Sequence, residues 1–219
     1  MAIHMLTKRT ALAAILGLAT AACSGAADTN GVAASAAAGD IPMGSADAPV
    51  EIVEYASTTC GHCRTFHISV LPGLKSNYIA TGQAKYIFRD FPTPPARVAA
   101  AGGAIARCAG EAKYYDVIDD LFKYQNEILE ATQRGGALDK LVEIGERAGL
   151  DRAAVEACVS DEDVLAQISA NVELGQSKGV NSTPTVFVNG ERVPPAEMSL
   201  QGISARIDAA LGVAEAPAE

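Results

Sequence analysis

Two cysteines separated by two residues, Cys60-Gly61-His62-Cys63, stand where an apolar run gives way to helical periodicity. This arrangement constrains the chain more than any other feature. Val50-Glu51-Ile52-Val53-Glu54-Tyr55 reads as a buried strand, and residues 60 to 80 as a helix with Phe66, Val70, Leu71, Leu74 and Tyr78 inward. Pro72-Gly73 is expected to kink that helix. The pair therefore sits at a helix start, where unpaired N–H groups and the helix dipole favour a thiolate on the first cysteine. The thiolate is the nucleophile of thiol–disulfide exchange.

Lowering a thiol from about 8.5 to about 5 corresponds to roughly 4.8 kcal/mol. A helix dipole supplies only about 0.3–1 kcal/mol of that. His62, inside the loop and able to be cationic, is one candidate for the remainder; local N–H groups, free once the disulfide opens, are the other. A zinc half-site would need a second pair at similar spacing, and Cys108 and Cys158 stand 50 positions apart. Haem attachment would need histidine after the second cysteine, where the chain has Arg64. An inert structural disulfide is the third alternative, but two-residue loops at helix starts mark redox pairs more often.

Ala84 to Phe88 reads as a second strand. About 80 residues of helical pattern follow. In them Tyr114, Val117, Ile118, Leu121 and Tyr124 share one face, and Leu138, Leu141, Val142 and Gly145 another. Ser160 with Asp163 matches a capping box before a stripe of Val164, Ile168 and Val172. Thr185 to Val188 is a strand, Asn189-Gly190 a type I′ hairpin signal, and Arg192-Val193 the start of the return strand. A last helix begins near Ser199. The order β-α-β, helical block, β-β-α implies an α/β sheet carrying a helical insertion. Gly102-Gly103 and Gly135-Gly136 read as turns or close-packing points, too weak a signal for phosphate binding.

The N-terminus carries an address. Lys8 and Arg9 precede the apolar stretch Ala11 to Ala22, so residues 1–22 read as an export signal peptide. Thr20-Ala21-Ala22-Cys23 resembles a lipobox in which Cys23 is lipidated, although Thr20 stands where Leu, Val or Ile is usual. Cleavage after Ala21, leaving Cys23 a stray thiol, is the alternative. Residues 23–46, mostly small and polar, read as a flexible tether averaging roughly 27 Å from end to end. Residues 47–213 then form the structured domain and 214–219 a tail. A net charge of −9 argues against nucleic acid as a partner, and no run of 18 apolar residues is present to span a bilayer.

Several segments taken together resemble one known family. Glu54 six residues before Cys60, the redox pair, Phe88-Arg89-Asp90-Phe91-Pro92, and Gly179-Val180-Asn181-Ser182-Thr183-Pro184-Thr185 are similar to the DsbA family of thioredoxin-fold proteins. The resemblance covers about residues 47 to 213 and implies a thioredoxin-like α/β fold with a helical insertion at about 97–178. It implies that Cys60 forms the mixed disulfide, that the buried Cys63 resolves it, and that Thr183-Pro184 is a cis-proline loop docking substrate. Glu54 lies in a strand whose other residues want burial; a buried carboxylate has a raised pKa, suited to moving a proton to or from Cys63. An exposed edge-strand acid is the alternative. Asp90 reads as a cap or as a partner of Arg89, and His67 as a surface or half-buried structural histidine. Cys108 and Cys158 each follow an aliphatic residue (Ile105, Val155) by three positions and are compatible with two buried thiols or with a disulfide. Some DsbA-like proteins carry a second bridge in the helical part, so the resemblance implies the disulfide, worth about 4 kcal/mol by chain entropy.

Gly61-His62 is the dipeptide of eukaryotic protein disulfide isomerase, where DsbA has Pro-His and thioredoxin Gly-Pro. Histidine in the loop argues for the oxidising side. The expectation is an extracytoplasmic, periplasmic oxidase that donates disulfides to reduced or unfolded exported proteins. A DsbB-like membrane quinone reductase would reoxidise it. No cofactor or metal is expected, and a tether-like N-terminus favours a monomer. A disulfide isomerase or dedicated reductase using the same pair is the second reading. A tethered binding module with structural cysteines is the third.

Overall fold

In the computed structural model, which describes residues 39–213, alternation along two central strands places side chains on both faces of one sheet. The 1–22 signal, Cys23, residues 24–38 and the 214–219 tail lie outside the described residues. The strands are β1 (Pro42–Met43), β2 (Val50–Ala56), β3 (Ala84–Asp90), β4 (Thr185–Val188) and β5 (Glu191–Arg192), in spatial order β1-β3-β2-β4-β5. β2 and β3 are parallel, with Ile52 opposite Tyr86 and Glu54 opposite Phe88; the other pairings are antiparallel. Val50, Ile52, Ala56, Tyr86 and Phe88 pack on one face, while Val53, Tyr55, Ile87 and Phe187 pack with Val180 on the other. Period-two alternation therefore turns Glu54 toward the first face.

A parallel pair needs a crossover. It is made by α1 (Gly61–Ser69), α2 (Leu71–Leu74) and a π turn over Lys75–Ile79, so the single kinked helix expected from 60 to 80 is three short segments. The break falls at Val70: Pro72 has no N–H for the preceding turn. Gly73 admits α9 (Leu200–Ala210) here, because a Cβ on Gly73 would lie 2.3 Å from Leu200 Cδ2. Between β3 and β4 run α3 (Ala96–Cys108), α4 (Glu111–Lys123), α5 (Gln125–Gln133), α6 (Ala137–Arg147), α7 (Arg152–Cys158) and α8 (Glu162–Ser177). Their apolar residues Ile105, Ile118, Leu121, Phe122 and Val155 join the sheet's first-face core in one continuous cluster. Cys108 and Cys158 are disulfide-bonded, with Cα atoms 6.3 Å apart, which ties α3 to α7.

The structure redraws several local expectations. Leu138 is 39% exposed and Tyr124 half-buried, so each stripe is one residue shorter than its periodicity suggests. Asp161, not Ser160, caps α8: its carboxylate accepts from the N–H groups of Asp163 and Val164, while Ser160 donates back to the Glu156 and Ala157 carbonyls. Asn171 and Gly175 take the buried positions expected of Val172; a Cβ on Gly175 would lie 3.0 Å from the Tyr55 ring, so its absence lets α8 pack close to that ring. The hairpin residues Asn189 and Gly190 both have positive φ, 47° and 82°, as a type I′ turn requires.

The largest difference concerns the tether. Residues 39–46 are part of the folded unit. β1 pairs with β3, and Tyr115 Oη donates to the Ile41 carbonyl at 2.7 Å. Asp40 accepts two hydrogen bonds from Arg89, at 3.0 and 2.7 Å. Arg89 is among the largest fully buried side chains and needs a counter-charge. Asp40 supplies it, because Asp90 is already engaged with Arg107 at 2.8 Å. Asp90 is therefore not the partner of Arg89.

Candidate active site

β2 ends at Ala56, and the buried turn Ser57-Thr58-Thr59 delivers Cys60 as the N-cap of α1. The turn is held from several sides. Ser57 Oγ lies 3.0 Å from Thr59 Oγ1, Thr59 Oγ1 donates to the Thr93 carbonyl at 2.9 Å, and Thr93 N–H returns a bond to Ser57 at 3.1 Å. Gln125, the buried first residue of α5, donates its side-chain amide to the carbonyls of Thr58 (2.8 Å) and Cys60 (3.1 Å). Arg64 Nε donates to the Phe122 carbonyl at 2.9 Å and fixes α1 against α4. The reactive turn is thus braced by the helical block as well as by the sheet.

Both cysteines are free thiols; Cys60 is half-buried and Cys63 fully buried. Cys60 is lowered to about 5. The main cause is the Cys63 thiol, which donates to its sulfur; partial burial opposes the shift, and the Thr183 side chain and the backbone N–H groups of Cys63 and His62 add to it. The Thr183 carbonyl, 3.4 Å from Cys60 Sγ, accepts from the protonated thiol and works against the thiolate. The donors win. Of the two sources considered for the remaining stabilisation, local N–H groups contribute directly, and His62 contributes through its backbone while its side chain lies exposed. Burial, the hydrogen bond given to Cys60 and the nearby Glu54 push Cys63 far above the usual thiol range.

Glu54 is buried on the face of β2 that looks toward α1. Burial raises it to about 8, against a hydrogen bond from Tyr86 that lowers it, with the charge of Cys60 adding to the rise. Tyr86 Oη donates to Glu54 Oε2, while Oε1 is buried without a partner. The Thr183–Pro184 bond is cis. The structure therefore brings Cys60, Cys63, Glu54 and Thr183 into one electrostatically coupled group. His67 has another place: it is buried, its Nε2 2.6 Å from Asp119, its ring stacked 4.6 Å from Phe122. Tyr86, Gln125 and the second cis bond, Pro94–Pro95, carry no signal in the sequence around them. Among the described residues no group of three His, Cys, Asp or Glu side chains is placed to hold a metal ion.

Three kinds of likeness to known proteins accompany this geometry. A family model described as Thioredoxin matches residues 36–209. A Rickettsia bellii protein named as a protein-disulfide oxidoreductase is 30% identical over 173 residues, which cover 78% of this chain and 64% of that protein. The chain thus spans just under two thirds of that relative's length. A Bacillus cereus protein named as disulfide bond formation protein D is 30% identical over 160 residues, covering 70% of this chain and 71% of that one. The crystal structure of Wolbachia pipientis alpha-DsbA1 superposes with a TM-score of 0.69 at 26% identity, over 80% of this chain and 92% of that chain. BdbD from Bacillus subtilis shares the fold, with a TM-score of 0.71 at 21% identity over 81% of this chain and 95% of that one.

Proposed function

The chain belongs to the thioredoxin family and has the DsbA-type form of its fold, and on that premise we propose that it is a thiol:disulfide oxidoreductase that introduces disulfides through Cys60 and Cys63. The observation that carries this reading is the opposed pair of thiols: Cys60 lowered to about 5 at the mouth of α1, and Cys63 buried behind it and raised. A sulfur that ionises readily is a good leaving group, so a disulfide to Cys60 is readily broken.

In the oxidised protein a substrate thiolate attacks Cys60 Sγ. The Cys60–Cys63 bond breaks, the electron pair leaves on Cys63 Sγ, and Glu54, protonated at neutral pH, supplies the proton that sulfur needs. A second substrate thiolate then attacks the substrate's own sulfur in the mixed disulfide and expels Cys60 as a thiolate. Two electrons have passed from substrate to protein, and the substrate keeps the disulfide. Thr183 and Pro184, beside Cys60, dock the substrate backbone; His62 tunes the loop. The Cys108–Cys158 bridge is structural.

Reduced or unfolded exported proteins are the substrate class, with a DsbB-like membrane quinone reductase as reoxidant and the protein acting as a monomer. Residues 1–22 as an export signal and Cys23 as a lipid anchor support an extracytoplasmic, periplasmic location tethered to the membrane. No helix among the described residues is long and apolar enough to cross a membrane. Incubating the oxidised protein with a reduced, disulfide-requiring nuclease tests the function. Nuclease activity should return with the protein and not with Cys60→Ser; recovery no faster than with glutathione alone refutes the proposal. Thr183 before the cis proline is the feature that favours an isomerase or dedicated reductase as the second reading, and efficient rescue of a scrambled nuclease by the reduced protein would select isomerisation.

A further inference from the structure

If Glu54 relays the proton of Cys63, as the exchange reading requires, a buried carboxyl group must present that proton from a defined oxygen. We propose that Tyr86 is the positioning residue of this relay: its hydroxyl occupies Glu54 Oε2, so that the proton exchanged with Cys63 resides on Oε1. The role stands only if the exchange reading stands, but it is separable from it by experiment.

The register of the sheet creates the pair. Ile52 lies opposite Tyr86 and Glu54 opposite Phe88, so Tyr86 sits two residues back from the partner of Glu54 on the neighbouring strand, on the same face. A phenol is long enough to span that diagonal. Tyr86 is 0% and Glu54 1% exposed, so water does not compete for the bond. The Tyr86 ring is held 5.9 Å from that of Tyr115, whose own hydroxyl donates to the Ile41 carbonyl and accepts from the Phe88 N–H. The donor is therefore fixed in place from α4 and from the N-terminal segment.

A tyrosine hydroxyl carries one proton. Burial and the neighbouring Glu54 hold Tyr86 well above the ordinary tyrosine range, so it stays a donor whatever Glu54 does. An oxygen already receiving a hydrogen bond is the poorer site for an acid proton. The buried, unpartnered Oε1 is the better one, because leaving it both charged and unpaired is costly. The groups facing Glu54 are Tyr86 from β3, Cys60 and Cys63 from α1 and its cap, and Tyr115 from α4; Tyr114 of α4 faces Tyr86. The three tyrosines and Cys63 are all raised and Cys60 is lowered to about 5, so Glu54 alone among these groups changes charge near neutrality.

During exchange the proton leaves Oε1 for Cys63 Sγ as the Cys60–Cys63 bond breaks, and the carboxylate left behind keeps the Tyr86 bond. On the return step Cys63 gives its proton back to Oε1 and attacks Cys60 Sγ in the mixed disulfide. The bond between Cys60 and the bound thiol breaks, and that thiol departs with the electron pair.

The return step can be watched alone. A small aromatic thiol is loaded onto Cys60 as a mixed disulfide, and its release is followed by stopped-flow absorbance from pH 5 to 10. In the wild type the rate should rise with the ionisation of Glu54, with a midpoint at or below about 8, because Cys60 in the mixed disulfide carries no charge to raise it. Tyr86→Phe keeps the ring and removes the donor. It should move that midpoint up by about one pH unit and slow release about tenfold at pH 7, the scale of one hydrogen bond to a charged group. Glu54→Gln should abolish the pH-dependent limb, and Tyr86→Phe with Glu54→Gln should be no slower than Glu54→Gln alone. A limb lost in Glu54→Gln but unmoved in Tyr86→Phe, or additive losses in the double variant, overturns the role of Tyr86 while leaving the relay. A limb retained in Glu54→Gln overturns the relay and this role together, and a wild type that releases no thiol overturns the exchange reading itself.

Discussion

Asp40→Ala should destabilise the protein severely, although Asp40 lies in a stretch that reads as a polar linker. The Asp40 carboxylate meets Arg89 through two charge-assisted hydrogen bonds at 3.0 and 2.7 Å, and the side chains are only 6% and 2% exposed. Removing Asp40 leaves Arg89 with the Tyr55 hydroxyl at 2.9 Å and the Tyr55 ring at 5.5 Å, both uncharged. Breaking a buried ion pair from one side costs about 3–5 kcal/mol. At about 2–4 °C per kcal/mol for a chain of this size, the melting temperature should fall by about 6–20 °C. The assay is thermal and urea unfolding of the oxidised protein at pH 7, comparing wild type, Asp40→Ala, and Asp40→Leu with Arg89→Met. The double variant, which buries no lone charge, should recover most of the loss. A melting temperature within about 2 °C of wild type for Asp40→Ala would show that Arg89 is satisfied by Tyr55 or solvent, and the clamp reasoning would be wrong.

Alkylation of the reduced protein with iodoacetamide should show a Cys60 midpoint near pH 5, rising in Cys63→Ala because the Cys63 thiol is the main donor to that sulfur. Cys60 is lowered from an ordinary value of about 9 in the folded state, so its contribution to the stability of the reduced form is complete above pH 9 and is lost as pH falls through about 5. The gap between reduced and oxidised melting temperatures measures it and should widen from pH 5 to pH 9. Cys108→Ala with Cys158→Ala, which opens a crosslink between positions 50 apart, should lower stability by about 4 kcal/mol in urea while leaving the Cys60 alkylation midpoint in place. Gly103→Ala would ordinarily favour a helix by about 1 kcal/mol. Here its Cβ would stand 2.2 Å from Asp90 Oδ1, a carboxylate held by Arg107, so urea unfolding should show a net loss of about 1–3 kcal/mol.

The strand–helix order, the positions of the sheet strands and the reactive pair at a helix start were legible because each is written in local periodicity or in a short motif. Even the orientation of Glu54 could be read from period-two alternation along β2. Contacts that depend on register or on distant segments were not legible. Nothing near Tyr86 in the chain says that it lies diagonally across from Glu54; that follows from pairing Ile52 with Tyr86 rather than with a neighbour. Gln125 looks like any polar residue at a helix start, and only the packing of α5 against the Cys60 turn gives it two carbonyls to serve. Residues 39–46 have the composition of a linker, and their order comes from distant partners: pairing with β3, the Tyr115 hydroxyl, and a buried arginine 49 positions from Asp40. Adjacent opposite charges mislead for the same reason: Arg89 and Asp90 alternate to opposite faces of β3 and cannot pair with each other.

As the proposed oxidase, the protein stores oxidising power by stabilising the Cys60 thiolate over the disulfide. Equilibrating the protein with glutathione buffers of graded composition at pH 7, and quantifying the Cys60–Cys63 dithiol by alkylation and mass, yields its reduction potential. The value should lie on the oxidising side, between about −120 mV, as for DsbA, and about −180 mV, as for protein disulfide isomerase. A potential near thioredoxin's, about −270 mV, would contradict it and make the protein a reductase.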